Sequence, residues 1–324
     1  GMMLWGYGKE YLDNDKMQYG IYVDSLGTQI GLMDGDKLVS IGGVPVEEFS
    51  PSVIRREVVL NNAKVIVVDR DNQMINVNVD PKYVQILSSN DYKDYSVIGP
   101  RIPFEVAKVT EGSNAAKAGL QVGDKIVYVD NKPAVYQHEV VKGLSEVKGK
   151  RIRLGYIRGG NQAETEVDVD EKGKIGISLK GPAELGWTGR EEYSLGRAIP
   201  GGITEGVAFM GDWFKGIGQL FKGNVKAKDS LGGFITITKL FSTSWDWESF
   251  WRITGILSFI LAIMNLLPIP ALDGGHVVFL LYEVFSGKKP SDKVMEWSTY
   301  IGFAIVLSLL ILANGFDIMR LFGK

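Results

Sequence analysis

Between 265 and 275 the chain reads Asn-Leu-Leu-Pro-Ile-Pro-Ala-Leu-Asp-Gly-Gly, and His276 follows. In a stretch that is otherwise apolar, this places one carboxylate (Asp273), one carboxamide (Asn265) and one imidazole (His276) close together. Pro268 and Pro270 remove backbone donors, while Gly274 and Gly275 allow unusual backbone angles. Such a segment must interrupt a helix. If the residues after Asp273 are helical, His276 lies three positions on and shares its face.

The surrounding sequence says what must position these groups. No charged residue stands between Arg252 and Asp273, and none between Glu296 and Asp317. Each gap holds 20 residues, enough for a helix to cross about 30 Å of hydrocarbon. The first apolar run resumes after His276 and continues to Tyr282. As one helix, 253–282 would extend about 45 Å, too long for a simple crossing, so a break at 265–275 is expected. Irregular backbone at membrane depth survives only where protein or a water-filled cavity covers it, and an ionisable residue there is functional by default. The plainer alternative is that Asp273 caps the end of a short span.

Composition narrows the chemistry. The 324 residues contain no cysteine, which excludes a disulfide scaffold and a thiolate metal site. A net charge of −2 gives no reason to propose nucleic acid. The two histidines, His138 and His276, cannot alone build a three-histidine metal site. His138-Glu139 is half of an H-E-x-x-H zinc signature, but position 142 is lysine, so the pair reads as a surface pair on a helix.

An internal repeat organises the first half. Residues 30–46 (IGLMDGDKLVSIGGVPV) recur at an offset of 88 as 118–134 (AGLQVGDKIVYVDNKPA). Each copy has a Gly-Asp turn entering an alternating strand, then a second turn at Gly42-Gly43 or Asp130-Asn131. A helix over 52–60 or 139–147 and a strand over 75–79 or 164–169 complete the unit. Residues 181–202 read as a Gly/Pro-rich linker. Ile203, Val207, Met210, Phe214, Ile217 and Phe221 then mark one face of a helix, to lie in a bilayer interface or pack on the repeats. Residues 231–240 look β-like, and Trp245, Trp247 and Trp251 suit an aromatic belt. Gly1 before Met2 reads as a remnant of tag removal, and 1–16 as a plain tail or the end of a lost span.

The repeat phrase G-L-x-x-G-D-K-I-V-x-V resembles PDZ domains of bacterial envelope proteases. That resemblance implies either capture of an extended peptide at a sheet edge or a spacer role that gates access. Candidate groove residues are Gly20, Ile21 and Tyr22 in the first copy, and Pro103, Phe104 and Glu105 in the second. The motif N-x-x-P-x-P-x-L-D-G resembles the second catalytic motif of site-2 proteases, and the tandem PDZ repeats make the likeness that of the RseP type. The resemblance covers essentially the whole chain. It implies that Asp273 is a zinc ligand, that Asn265 positions substrate and that Pro268 and Pro270 shape the loop; His276, which the family does not use as a ligand, and Gly274 read as support for the aspartate. It also implies a zinc site whose two histidines and general-base glutamate come from an H-E-x-x-H segment that this chain lacks. The chain is therefore expected to be the C-terminal part of a longer protease, inactive alone.

The expected fold is a multidomain α+β membrane protein: two PDZ-like β-rich domains, then an interfacial amphipathic helix and two transmembrane helices. Boundaries are a stub at 1–16, PDZ-like domains at 17–85 and 86–180, a linker region at 181–251 and a two-span domain at 252–324. The implied substrate is a single-span membrane protein, pre-trimmed and typically an anti-sigma factor, with peptide C-termini as further ligands for the repeats. The implied location is the bacterial inner membrane with the repeats on the periplasmic side; Lys288, Lys289 and Lys293 suit a cytoplasmic loop. The competing reading is a non-catalytic, membrane-anchored PDZ adaptor. A transporter uses the same broken-helix logic but fits two spans and a large repeat region poorly.

Overall fold

The computed structural model describes residues 2–89, 92, 96–238, 241 and 245–322. They form two compact units, one of 10–83 with 94–190 and the other of 1–9, 84–93 and 191–324. In chain order the elements of the first part are α1 (Met2–Tyr7), β1 (Lys9–Asp13), a 3-10 turn at Asn14–Lys16, β2 (Ile21–Val23), α2 (Ser25–Ile30), β3 (Lys37–Ile41), β4 (Val44–Pro45), β5 (Glu48–Phe49), α3 (Val53–Leu60), β6 (Val65–Arg70), β7 (Gln73–Asn78) and α4 (Lys82–Ser88). There follow β8 (Ile98–Pro100), β9 (Val106–Val109), α5 (Asn114–Lys117), β10 (Lys125–Val129), β11 (Lys132–Pro133), α6 (Gln137–Glu146), β12 (Arg151–Arg158), β13 (Asn161–Asp168), β14 (Ile177–Leu179) and β15 (Thr188–Glu191). The chain ends in α7 (Leu195–Phe221), α8 (Ala227–Ser230), α9 (Phe234–Thr238), α10 (Trp247–Leu266), α11 (Asp273–Ser286) and α12 (Asp292–Phe322).

The repeat is a repeat of structure. Both copies contain a four-stranded antiparallel sheet in the same order, β4-β3-β6-β7 and β11-β10-β12-β13. Even the register irregularity recurs, between Leu38 and Ser40 in one and Ile126 and Tyr128 in the other. Each hairpin turn is paired with backbone that only certain residues tolerate: Asp71-Asn72 and Asp130-Asn131 all have positive φ, as do Gly42-Gly43 and Gly159-Gly160. Tight two-residue hairpins require this conformation, which asparagine, aspartate and glycine adopt at least cost. The cores are alternating strand residues closed by one helix face. In copy two Val140 and Leu144 of α6 meet Ile126, Val129, Ile152, Leu154 and Val167.

A second small sheet closes each copy. In copy one β2 pairs antiparallel with β8, matching Ile21 with Pro100 and Tyr22 with Gly99. In copy two β9 pairs with β14 in the same manner. The first copy therefore extends to Pro100, past the 85/86 division drawn from sequence, because its closing strand comes 75 residues after the strand it pairs with.

The helical unit departs from expectation in two places. The segment 181–202 is not all linker: β15 forms at 188–191, and α7 starts at Leu195 and runs through Pro200. Gly201 is used for packing: a Cβ there would lie 3.1 Å from the side chains of Leu4 and Tyr193. The expected apolar face of α7 is real, but Ile203, Val207, Phe214 and Phe221 are exposed, whereas Gly206 is buried under the Phe259 ring. The β-like segment at 231–240 is helical in its described part, α9; 239 and 240 lie outside the described residues. β-Branched composition loses there to the partners that α12 supplies. Thr236 donates from its backbone and its hydroxyl to Asp317, at 2.9 and 2.5 Å, and Phe234 N donates to Asn314 Oδ1 at 3.2 Å.

α10 and α12 are long and apolar enough to cross a membrane, with mean hydropathy 1.5 and 2.1 in their most apolar windows. Only 11% of each window is buried among the described residues. α11, at 14 residues, is shorter than a crossing.

Candidate functional site

The apolar run breaks where the prolines and glycines require it. α10 ends at Leu266, Leu267 turns extended, and Asp273 opens α11. Every N–H in the break 267–272 has an acceptor. Leu267 N donates to Ile263 O, Ile269 N to Leu267 O (2.7 Å), Ala271 N to Ile269 O (2.8 Å) and Leu272 N to Ile269 O (2.9 Å). Pro268 and Pro270 have no N–H to place. The loop thus meets the demand that buried or lipid-level donors be satisfied without regular secondary structure.

Three glycines hold this loop between two helices. A Cβ on Gly274 would stand 2.3 Å from Leu267 O, and one on Gly275 would stand 2.5 Å from Ile269 O. From the other side, a Cβ on Gly302 of α12 would stand 2.8 Å from Ala271 N and Pro270 O. The Asp-Gly-Gly of the motif is therefore a backbone-to-backbone contact, and it fixes where the first turn of α11 points. Asp273 sits in that turn, where the positive end of the helix favours a carboxylate.

Asn265, Pro268, Asp273 and His276 are exposed, Pro270 is half-buried and Gly274 is buried. As a test of zinc chemistry, the loop offers one carboxylate and one imidazole. A catalytic zinc site takes three protein ligands with an open fourth position. Asp273 fits as one ligand, but the donors of this chain near the loop do not complete a site.

The candidate groove residues are placed as follows. Gly20 has positive φ and lies so close to the Gly35 and Asp36 carbonyls that a Cβ would stand 2.4 Å away. Ile21 is fully buried and Tyr22 lays its ring on Gly99 across the β2–β8 pair. Pro103 bridges to Tyr136, Glu105 bridges to Lys125 and pairs with Lys180, and Phe104 is buried. Among the described residues β14 pairs on one side only, with β9, and next to its end Gln137 of α6 donates to Lys180 O at 2.7 Å.

Sequence reasoning missed a pair of arginines. Asp36 and Asp124, the aspartates of the repeated Gly-Asp turn, are 1% and 0% exposed. Arg70 grips Asp36 through Nε (2.7 Å) and Nη2 (2.8 Å), and the same Nη2 reaches Gly31 O. Arg158 does the same to Asp124 at 2.7 and 2.7 Å and to Gly119 O. The signal was available, since 70 and 158 differ by the repeat offset of 88.

His138 is not a surface residue. Its side chain is 23% exposed and lies where copy one meets copy two, stacked on Tyr22 with ring centroids 4.6 Å apart. Asp34 Oδ2 of copy one stands 3.7 Å from His138 Nε2, and Glu139 Oε1 stands 3.9 Å from it. Burial holds the imidazole below the ordinary histidine pKa, against the opposing pull of Asp34 and Glu139. The surface reading failed because the sequence of one copy does not show what the other places against it.

Comparison with known proteins agrees with this architecture. The family model of Peptidase family M50 matches residues 19–309. A Neisseria meningitidis protein, provisionally named a zinc metalloprotease, is 28% identical over 93% of this chain and 71% of its own length. The regulator of sigma-E protease RseP of Salmonella typhimurium is 32% identical over 69% of this chain and 52% of its own length, so the chain spans about half of that relative. Among solved structures, the PDZ domain of an SdrC-like protein from Listeria monocytogenes is 25% identical, covers 24% of this chain and 86% of its own, and has a TM-score of 0.22. With its match running across both repeat copies and the Asp273 loop, the chain belongs to Peptidase family M50, the site-2 proteases, and is of the RseP type.

Proposed function

We propose that this chain supplies the aspartate ligand and the tandem PDZ-like repeats of a zinc-dependent intramembrane protease. One observation carries the reading: the break between two apolar helices is clamped by Gly274, Gly275 and Gly302, and it presents Asp273 at a helix start within the family match. Zinc bound there would polarise the scissile carbonyl and acidify a water. Asp273 would be one of its ligands, the remaining ligands and the general base coming from outside these 324 residues. Asn265 would position the substrate, with Pro268 and Pro270 setting the loop and His276 and Gly274 supporting the aspartate. An extended segment of the substrate would lie along the loop.

The substrate class is a single-span membrane protein already trimmed by another protease, an anti-sigma factor by analogy with the family. The repeats would screen its size or take its new C-terminus. The site lies at the inner membrane, with the repeats on the periplasmic side. The test is zinc content and cleavage of a single-span substrate by a protein that joins this chain to an H-E-x-x-H segment. Asp273→Asn should lower both, and Asn265→Ala should lower cleavage more than zinc. Full cleavage by Asp273→Asn would overturn Asp273 as a ligand, and absence of both zinc and cleavage in the unsubstituted joined protein would overturn the protease reading and leave the membrane-anchored peptide adaptor.

A further inference from the structure

Among the described residues, the cluster with the donors of a metal site is not at the motif. It lies at the contact between the two repeat copies. One ligand atom from each of Asp34, His138 and Glu139 lies within 4.8 Å of the other two, and His138 Nε2 stands 3.7 Å from Asp34 Oδ2 and 3.9 Å from Glu139 Oε1. Zinc bonds of about 2.0–2.2 Å put tetrahedral ligands about 3.3–3.5 Å apart. The observed 3.7 and 3.9 Å from His138 are wider by a few tenths of an ångström, which a side-chain rotation closes.

Three independent features point the same way. Both ring nitrogens of His138 are shielded from solvent and neither has a hydrogen-bond partner among the described residues, an expensive state for a polar ring. The ring is held in place by the Tyr22 stack on one side and Tyr136 further off. Glu139 spends one oxygen, Oε2, on the N–H groups of Val135 (2.8 Å) and Tyr136 (3.1 Å), which leaves Oε1 facing the histidine. A ligating carboxylate anchored through its second oxygen is the arrangement that tunes metal sites elsewhere.

We propose that Asp34, His138 and Glu139 bind one divalent transition metal ion, zinc by donor type, which ties the Gly-Asp loop of the first copy to helix α6 of the second. Arg101 opposes it. Its Nη2 stands 3.9 Å from the same Glu139 oxygen, outside hydrogen-bond reach, while its guanidinium lies 3.9 Å over the Tyr136 ring. A fixed positive charge so near lowers the affinity, so the site exchanges its metal and the tie is conditional on metal supply. This inference does not depend on Asp273.

The experiment is a titration of the whole chain in detergent with cobalt(II), read by its visible ligand-field absorption and by competition with zinc. One equivalent should bind to the wild type and to Asp273→Asn. His138→Ala and Asp34→Ala should each weaken it at least ~100-fold, more than a change to a supporting residue would. Glu139→Gln, which keeps the helix-capping acceptor, should weaken it as well. Arg101→Gln should tighten it about 5-fold, the effect of removing one unit charge at this distance in a wet environment. Zinc should also raise the melting temperature of the wild type and not of His138→Ala, whose fold is checked by circular dichroism. No binding by wild type, binding that survives His138→Ala, or binding lost in Asp273→Asn would each overturn the proposal. Weaker binding in Arg101→Gln would overturn it too.

Discussion

The aspartates of the two units are handled in opposite ways. Asp36 and Asp124 are buried, and each is gripped by an arginine that also holds a loop carbonyl. Asp273 is exposed at the start of a helix, and what surrounds it is backbone packed on backbone. A buried carboxylate with both oxygens bonded is a structural part, since removing either partner strands the other charge. An exposed carboxylate beside a loop built with three Cβ-free contacts is different: backbone contacts fix its position, and its removal strands no buried charge. The same residue type thus stands in two settings, and burial tells them apart where sequence alone does not.

The comparison can be broken by substitution. The largest contrast is expected at Asp273→Asn: cleavage by a protein that joins this chain to an H-E-x-x-H segment should fall at least ~100-fold, with the unfolding midpoint unchanged. A parallel loss of stability would make Asp273 structural like the other two. Asp36→Ala should do the reverse. It should destabilise the repeat unit by about 2–3 kcal/mol in urea unfolding, below the usual cost of about 3–5 kcal/mol for breaking a fully buried pair because Arg70 keeps partial access to water. Asp124→Ala should move the same way, and a neutral result there would show that the two copies are not energetically equivalent. Gly302→Val should cost about 1–3 kcal/mol by overpacking the loop, and it should lower cleavage without altering any ligand. The smallest effect is at the hairpin: Asn131→Ala should cost about 1 kcal/mol by thermal unfolding, and Asn131→Gly nothing, because only the left-handed backbone is at stake.

Much of this could be read from the chain. Repetition at an offset of 88 identified the copies, and the Gly-Asp and Asp-Asn dipeptides identified their turns, because these signals are local and steric. The break at 265–275 was legible for the same reason: two prolines and two glycines inside an apolar run leave the backbone no helical solution. What was hidden is what depends on distant partners. Arg70 and Asp36 are 34 residues apart, and β8 returns to β2 across the length of a domain. His138 takes its character from Tyr22 and Asp34, more than 100 residues earlier. The segment at 231–238 shows the limit of composition. Its β-branched residues name no partner strand, and Asn314 and Asp317 of α12 bind it as a short helix.

The hydrogen-bond ledger of the break makes the loop one-sided. Its prolines contribute carbonyls only, and the N–H groups of Leu267, Ile269, Ala271 and Leu272 are already committed within the chain. A peptide laid beside it finds acceptors there and no donors to share. A visiting strand can therefore gain from this backbone only by donating: the residues whose N–H and C=O face the loop find acceptors for the first and no backbone donor for the second. Proline in the visiting strand, at a position that must donate, should make it a poor guest however apolar it is.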